Sequence, residues 1–235
     1  MAELAPADVA DAGQRRGSLV DEAYAALKAA IRDTVFPPGY RGSEQEIAVR
    51  LGMSRTPVHE AIIRLQEDGL VRVLSKRGVL VCPLAPDDIR EIYDVVVAVE
   101  SMAAELLAGL PDSIRTAAAD ELDAATTTME EALAAGDLGR WAEADELFHR
   151  LLVERCGNGR LRRIAQTVTD QAHRTRMLTL RLRPTLAPSA EAHRLLTAAL
   201  RTGDAGEAHR CARAHRVSAR DELVPLIESI GLRQL

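Results

Sequence analysis

The sequence predicts a mainly α-helical protein: a small N-terminal helical unit closed by a β-hairpin, followed by an all-helical antiparallel bundle. Three observations predict it. Ala, Leu, Arg and Glu dominate the composition while aromatics are only 3% of residues, a balance that favours helix. From residue 87 onward apolar residues recur at helical spacing, interrupted by Gly and Pro stop signals rather than by strand-like alternation. The one exception to helix lies at 70–81, where two short β-branched runs flank Ser75-Lys76-Arg77-Gly78. A chain of 235 residues, 47% of them hydrophobic, has enough apolar material for two packed cores.

Taken in order, residues 1–17 are rich in Ala, Asp and Gly without periodicity, and are expected to form a mobile tail. Ser18 is placed to cap a helix over 18–33, with Val20, Ala23, Tyr24, Leu27 and Ile31 on one face. Pro37-Pro38-Gly39 ends it and turns the chain into two helices, 44–51 and 54–68, joined by a sharp turn at Gly52. Ile47, Ala48 and Leu51 give the first of these an apolar face, and Val58, Ile62 and Leu65 pack the second onto it. Strands at 70–74 and 79–81 form a hairpin wing. Residues 83–86, with two prolines, are expected to link this unit (18–82) to the second (87–235). There, helices are predicted at 87–109, 111–135, 137–156, 160–183, 185–202 and 204–230, bounded by Pro111, Gly136-Asp137, Gly157-Asn158-Gly159 and Gly203-Asp204.

Two helices with a tight turn, the second preceded by exposed polar residues, form a helix-turn-helix, whose second helix enters the DNA major groove by its N-terminus. Charge agrees with this once divided. Residues 41–78 carry seven Lys/Arg against five Asp/Glu, whereas from Pro83 onward 19 basic residues face 24 acidic ones, within a net charge of −5. No apolar run approaches a membrane span, no secretory leader opens the chain, and three scattered cysteines make no disulfide framework, so a cytoplasmic protein without membrane contact is expected.

The string Pro-Pro-Gly-Tyr followed by E-Q-E-I-A-V-R-L-G-M-S-R-T-P-V-H-E-A-I-I-R-L-Q-E-D-G-L-V resembles the winged helix-turn-helix of GntR-type bacterial transcription regulators. The resemblance implies operator DNA as partner and a homodimer on an inverted repeat. Arg55 is the first candidate for a base contact, because its guanidinium matches guanine O6 and N7. Ser54, Thr56 and Pro57 complete the motif at the helix start, with Thr56 and the helix N-terminus placed for phosphate. His59 and Gln45 stand where relatives carry arginine, which implies an altered base preference. Arg64 on the same helix and Lys76, Arg77 and Gly78 at the wing tip are the remaining candidates.

The second half resembles the FCD domain, the all-helical effector-binding domain of the FadR branch of that family. The resemblance rests on I-Y-D-V-V-V-A-V-E, D-E-L-F-H-R-L-L, C-G-N-G-R-L, E-A-H-R-L-L and H-R-C-A-R-A-H in that order. Asp145 and His149 are four residues apart and therefore share one helical face. His193 lies ten residues before Gly203 and His215 eleven after Asp204, so a helical hairpin at that turn brings the two imidazoles to one height. An Asp/His₃ set suits a divalent transition ion, zinc foremost with nickel or manganese as alternatives. The resemblance implies the same, since these four positions hold the metal in metal-containing FCD domains.

Such domains commonly bind small carboxylates beside the metal, often through an arginine four residues before the glutamate of the first motif. Here that position is Val96, before Glu100. Either Arg163 or Arg174 supplies the missing cation, or the effector is less anionic. His173 is a candidate for lining the same cavity, while His209 matches no ligand position. The function expected is a DNA-binding regulator, a repressor, under control of a small carboxylate. The alternative is a metal-free regulator sensing a larger apolar or acyl effector, against which four polar ligands argue. A hydrolytic enzyme using Glu146 or Glu191 as base leaves the helix-turn-helix without purpose.

Overall fold

The computed structural model describes residues 6–75 and 78–230, with side chains from Ser18 through Ser229 apart from Lys76 and Arg77. Nine helices and three short strands occur among the described residues, and the chain divides into two units between Pro83 and Leu84.

In the first unit, α1 (Pro6–Arg32) begins well before the expected start at Ser18. Proline is favoured at a helix's first position, and the Ala, Gln and Arg that follow are good helix formers that carry it across Gly13 and Gly17. Ser18 is therefore not a cap; its hydroxyl donates to Glu22 within the helix, 3.1 Å away. Residues 1–5 of the expected tail lie outside the described residues. Ala23, Leu27 and Ile31 of α1 bury against Val58, Ala61, Ile62 and Leu65 of α3 (Arg55–Glu67), with Ile47 and Ala48 of α2 (Glu44–Leu51) closing the core. A reciprocal box starts α2: Ser43 Oγ accepts the Glu46 amide at 3.1 Å, and Glu46 accepts the Ser43 amide at 2.6 Å. Gly52, at φ +66°, stops it.

The wing is β2 (Val71–Leu74) against β3 (Gly78–Val81), with Val73 opposite Val79 and Leu74 opposite Gly78. A third strand, β1 (Arg41–Gly42), pairs with β3 on its other edge. Two residues carry no alternation, so the sequence gives no sign of it.

In the second unit the linker is shorter than expected. Leu84 and Ala85 are already buried, and Asp88 accepts the Ala85 amide at 3.0 Å to start α4 (Pro86–Ala108). Next come α5 (Asp112–Ala134), α6 (Leu138–Arg155), α7 (Gly159–Thr179), α8 (Ala187–Thr202) and α9 (Ala205–Ile230). Asp137 and Asn158 cap α6 and α7, as the sequence implies. The α7 helix ends four residues early and α8 starts two late, because Pro184 disfavours helix in the residue before it and Pro188 belongs in a first turn. Helix α4 packs against α6, α7, α8 and α9, so side chains from four helices converge on it. No helix among the described residues is long and apolar enough to cross a membrane.

Candidate operator-binding face and metal centre

The start of α3 presents Ser54, Arg55, Thr56 and His59 to solvent, with Gln45 exposed on α2. Ser54 has the extended backbone of an N-cap, but its hydroxyl makes no capping bond. Arg55 and His59 are one turn apart and are held by the same carboxylate. Glu44 lies 2.8 Å from His59 Nδ1 and 3.5 Å from Arg55 Nε.

Two motif residues do not belong to this face. Pro57 is buried, in line with Ala61 and Leu65 on the stripe that meets the core. Arg64 is nine residues from Arg55, about half a turn around the helix. It stacks 4.1 Å from the Tyr24 ring centroid and pairs with Asp21 at 2.6 Å, both on α1. Lys76 and Arg77 lie outside the described residues. Gly78 has φ +85°, and a Cβ there would stand 2.5 Å from the Gly42 carbonyl oxygen, so it joins β3 to β1 through its lack of a side chain.

In the second unit, three helices bring His149 (α6), His193 (α8) and His215 (α9) together, with each Nε2 3.3 Å from the other two. The hairpin at Gly203 does set the last two level. His193 is fully buried and lies flat on Phe148, ring centroids 3.6 Å apart. Asp145 stands beside the triad, its Oδ1 3.7 Å from His149 Nε2 and 3.8 Å from His193 Nε2.

Burial pushes the His193 and His215 imidazolium forms well below their usual range, and the neighbouring histidines push further in the same direction. Their rings are therefore neutral. His149 Nδ1 faces the Glu100 carboxylate at 2.9 Å, and a carboxylate only accepts, so in the neutral ring Nε2 carries the lone pair. A tetrahedral site with bonds of about 2.1 Å has edges of about 3.4 Å. Three imidazole nitrogens at 3.3 Å, those of His149 and His193 buried and that of His215 partly so, fit one face of such a site, with Asp145 at its edge.

Around the triad lies a set of buried charges, among which Arg176 and Arg216 were not singled out by the sequence. Arg216 clasps Glu100 through two bonds, at 2.5 and 2.6 Å, so Glu100 is held in turn while it holds His149. Burial alone would raise the Glu100 carboxyl, but Arg216 and His149 hold it well below the usual range. Asp145, equally buried, is kept ionised by Arg176, whose Nε is 2.6 Å from Oδ2. Arg176 also lies 3.3 Å from His173 Nδ1, which in turn meets Glu146 at 2.8 Å.

The expected effector residues are divided by this arrangement. His173 is buried beside Arg176, and Arg174 is buried on another face of α7. Arg163 is exposed and lines a surface depression with Leu106, Leu110 and Asn158, which contains none of the histidines. Val96 is buried among Ile92, Ala172, Leu223 and Ile227. His209 takes a half-exposed contact with Glu105 at 2.9 Å, away from the triad. His215 borders a surface cleft of about 280 Å³ between α8 and α9, lined also by Arg183, Ser189, Ser218 and Glu222.

Residues 19–81 match the family of bacterial regulatory proteins of the gntR family, and residues 91–218 match the FCD domain. The chain is 51% identical over 153 residues (65% of it, 86% of the relative) to an HTH-type transcriptional regulator in the TAR-I ttuE-ttuC' intergenic region of Agrobacterium vitis. It is 32% identical over 186 residues, 78% of each chain, to a probable D-xylose utilization operon transcriptional repressor of Paenarthrobacter nicotinovorans. Its fold matches the crystal structure of a putative transcriptional regulator GntR from Rhodococcus sp. RHA1, with a TM-score of 0.73 at 25% identity, covering 88% of this chain and 98% of that one. The chain is a transcriptional regulator and not an enzyme: it belongs to the GntR family, in the FadR-like branch that joins a DNA-binding helix-turn-helix to an FCD domain.

Proposed function

We propose that this regulator is a repressor that binds an inverted-repeat operator as a homodimer, and that a small carboxylate held at a divalent metal, zinc foremost, sets its operator affinity. The observation that carries the reading is the triad of imidazoles whose Nε2 atoms lie 3.3 Å apart, with an ionised Asp145 beside it. His149, His193 and His215 would hold the ion with Asp145, and the ion would supply a Lewis-acid anchor for a carboxylate oxygen. Arg176 supplies the cation that position 96 lacks. It is buried within reach of Asp145, and its planar fork suits a carboxylate. The larger apolar effector is disfavoured, because this interior is crowded with charges that would be left unsolvated.

Control of DNA affinity requires that the effector bind one arrangement of the protein better than another. Glu100 offers a route for that difference, since it joins α4 to His149 on α6 and to Arg216 on α9. Whatever moves His149 is felt by three helices.

The test is metal content by elemental mass spectrometry on protein purified without a His-tag, beside His193→Ala and His215→Ala, followed by calorimetry with small hydroxy- and dicarboxylates. About one equivalent per subunit, lost in both variants, with carboxylate binding weakened in Arg176→Ala, is expected. No metal in the native protein after incubation with zinc, nickel or manganese would end the metal-centred reading.

A further inference from the structure

We propose that His59 reads its base as a hydrogen-bond acceptor, selecting an amino-bearing base, cytosine or adenine, on the strand it contacts. The proposal rests on the operator-binding reading and deepens it at one residue.

His59 and Arg55 are exposed on one face of α3, in its first two turns, where side chains of a recognition helix reach base edges. His59 Nδ1 is 2.8 Å from Glu44 Oε1, and Glu44 is mostly buried at the start of α2. A carboxylate offers lone pairs only, so this short contact places the imidazole hydrogen on Nδ1. With the hydrogen on Nδ1, the uncharged form of the ring keeps a bare lone pair on Nε2, and the side chain is more than half exposed. In the major groove cytosine N4 and adenine N6 present donors, whereas guanine O6 and thymine O4 present acceptors in the corresponding place. A lone pair therefore meets a partner at cytosine or adenine and repulsion at guanine or thymine. Arg55 leaning on the same carboxylate keeps all its outer N–H groups as donors, so the two residues, one turn apart, read opposite classes of base.

The experiment selects binding sites from random duplex DNA for the full-length wild type, His59→Arg and Glu44→Ala. The base position whose preference changes in His59→Arg, toward guanine, identifies the contacted strand and base. On that strand the wild type is expected to select cytosine or adenine by about tenfold over guanine, as befits one good base contact. Glu44→Ala, which frees the ring to carry its hydrogen on either nitrogen, is expected to lose most of that discrimination while still binding DNA. Selection of guanine or thymine by the wild type at that position would overturn the proposal, as would a His59→Arg profile identical to wild type. Failure of the wild type to enrich any sequence would instead count against the operator-binding reading itself, so the two failures are distinct.

Discussion

Arg216 matters more than its absence from any motif suggests. Among the described residues it is the arginine paired with Glu100, and both groups are buried, so Arg216→Met leaves a carboxylate without its cation in a dry site. The expected cost is about 3–5 kcal/mol. Zinc affinity should also fall about 10- to 100-fold, because Glu100 orients His149. Denaturation in chelator and zinc titration measure the two, and a double Glu100→Gln/Arg216→Met variant should recover part of the stability. Acid should act on the same residues. The folded-state pKa values of Glu100 and Asp145 are depressed, and so are those of His193 and His215, which means the unfolded chain binds more protons as pH falls. Their stabilisation is fully present above about 6.5, the ordinary histidine value, and is lost as pH drops through that region and then through the carboxylate range. Chelated protein should therefore show a falling urea midpoint below pH 6.5, and a midpoint flat from 7 to 5 would contradict this. That the four candidate residues come together was legible because helical rise and a turn at Gly203 fix heights from spacing alone. Arg176 and Arg216 were not legible, since nothing local marks an arginine whose partner is on another helix. Pro57 was legible and misread: its spacing of four to Ala61 and eight to Leu65 puts it on the core stripe.

At the scale of elements, the start of β3 and the start of α2 depend on residues with little chemistry of their own. Gly78→Ala would place a Cβ 2.5 Å from the Gly42 carbonyl, at a φ of +85° that alone costs an L-residue roughly 1–2 kcal/mol. The clash falls on backbone, which cannot swing aside. The expected result is loss of the β1–β3 pairing and a lower unfolding midpoint of the DNA-binding unit, with operator affinity falling alongside. Ser43→Ala removes the hydroxyl that accepts the Glu46 amide and should cost about 1 kcal/mol, read from the same transition. Both effects follow from signals that sequence carries well, a glycine at a strand start and a Ser-x-x-Glu box. Element existence was correspondingly legible: every helix from α2 to α9 was anticipated, with ends displaced by a few residues where proline governs. What escaped was β1, too short to show a period, and the early start of α1, where the Asp and Gly residues and the absence of an apolar stripe hid the helix-forming Ala, Gln and Arg.

For the whole molecule, the proposed coupling between effector and operator can be tested through reciprocity. If a carboxylate changes operator affinity by some factor, operator DNA must change carboxylate affinity by the same factor, because both are sides of one thermodynamic cycle. Couplings of this kind are typically about 5- to 150-fold. Titrations of operator with and without a bound carboxylate, and of carboxylate with and without operator, should agree within error when metal is present. Chelation should then abolish the carboxylate's effect while leaving operator binding itself, since Arg55 and His59 lie in a unit that contains none of the ligands. An effect that survives chelation would place the effector elsewhere, with the cleft beside Arg183 and Ser189 the first site to examine. A homodimer on an inverted repeat adds its own signature: two protected half-sites about 34 Å, or one or more helical turns, apart. Affinity should also fall steeply with salt, because phosphate contacts release counterions. A carboxylate that loosens both half-sites together, with one shared midpoint, would mean that the two subunits respond as one.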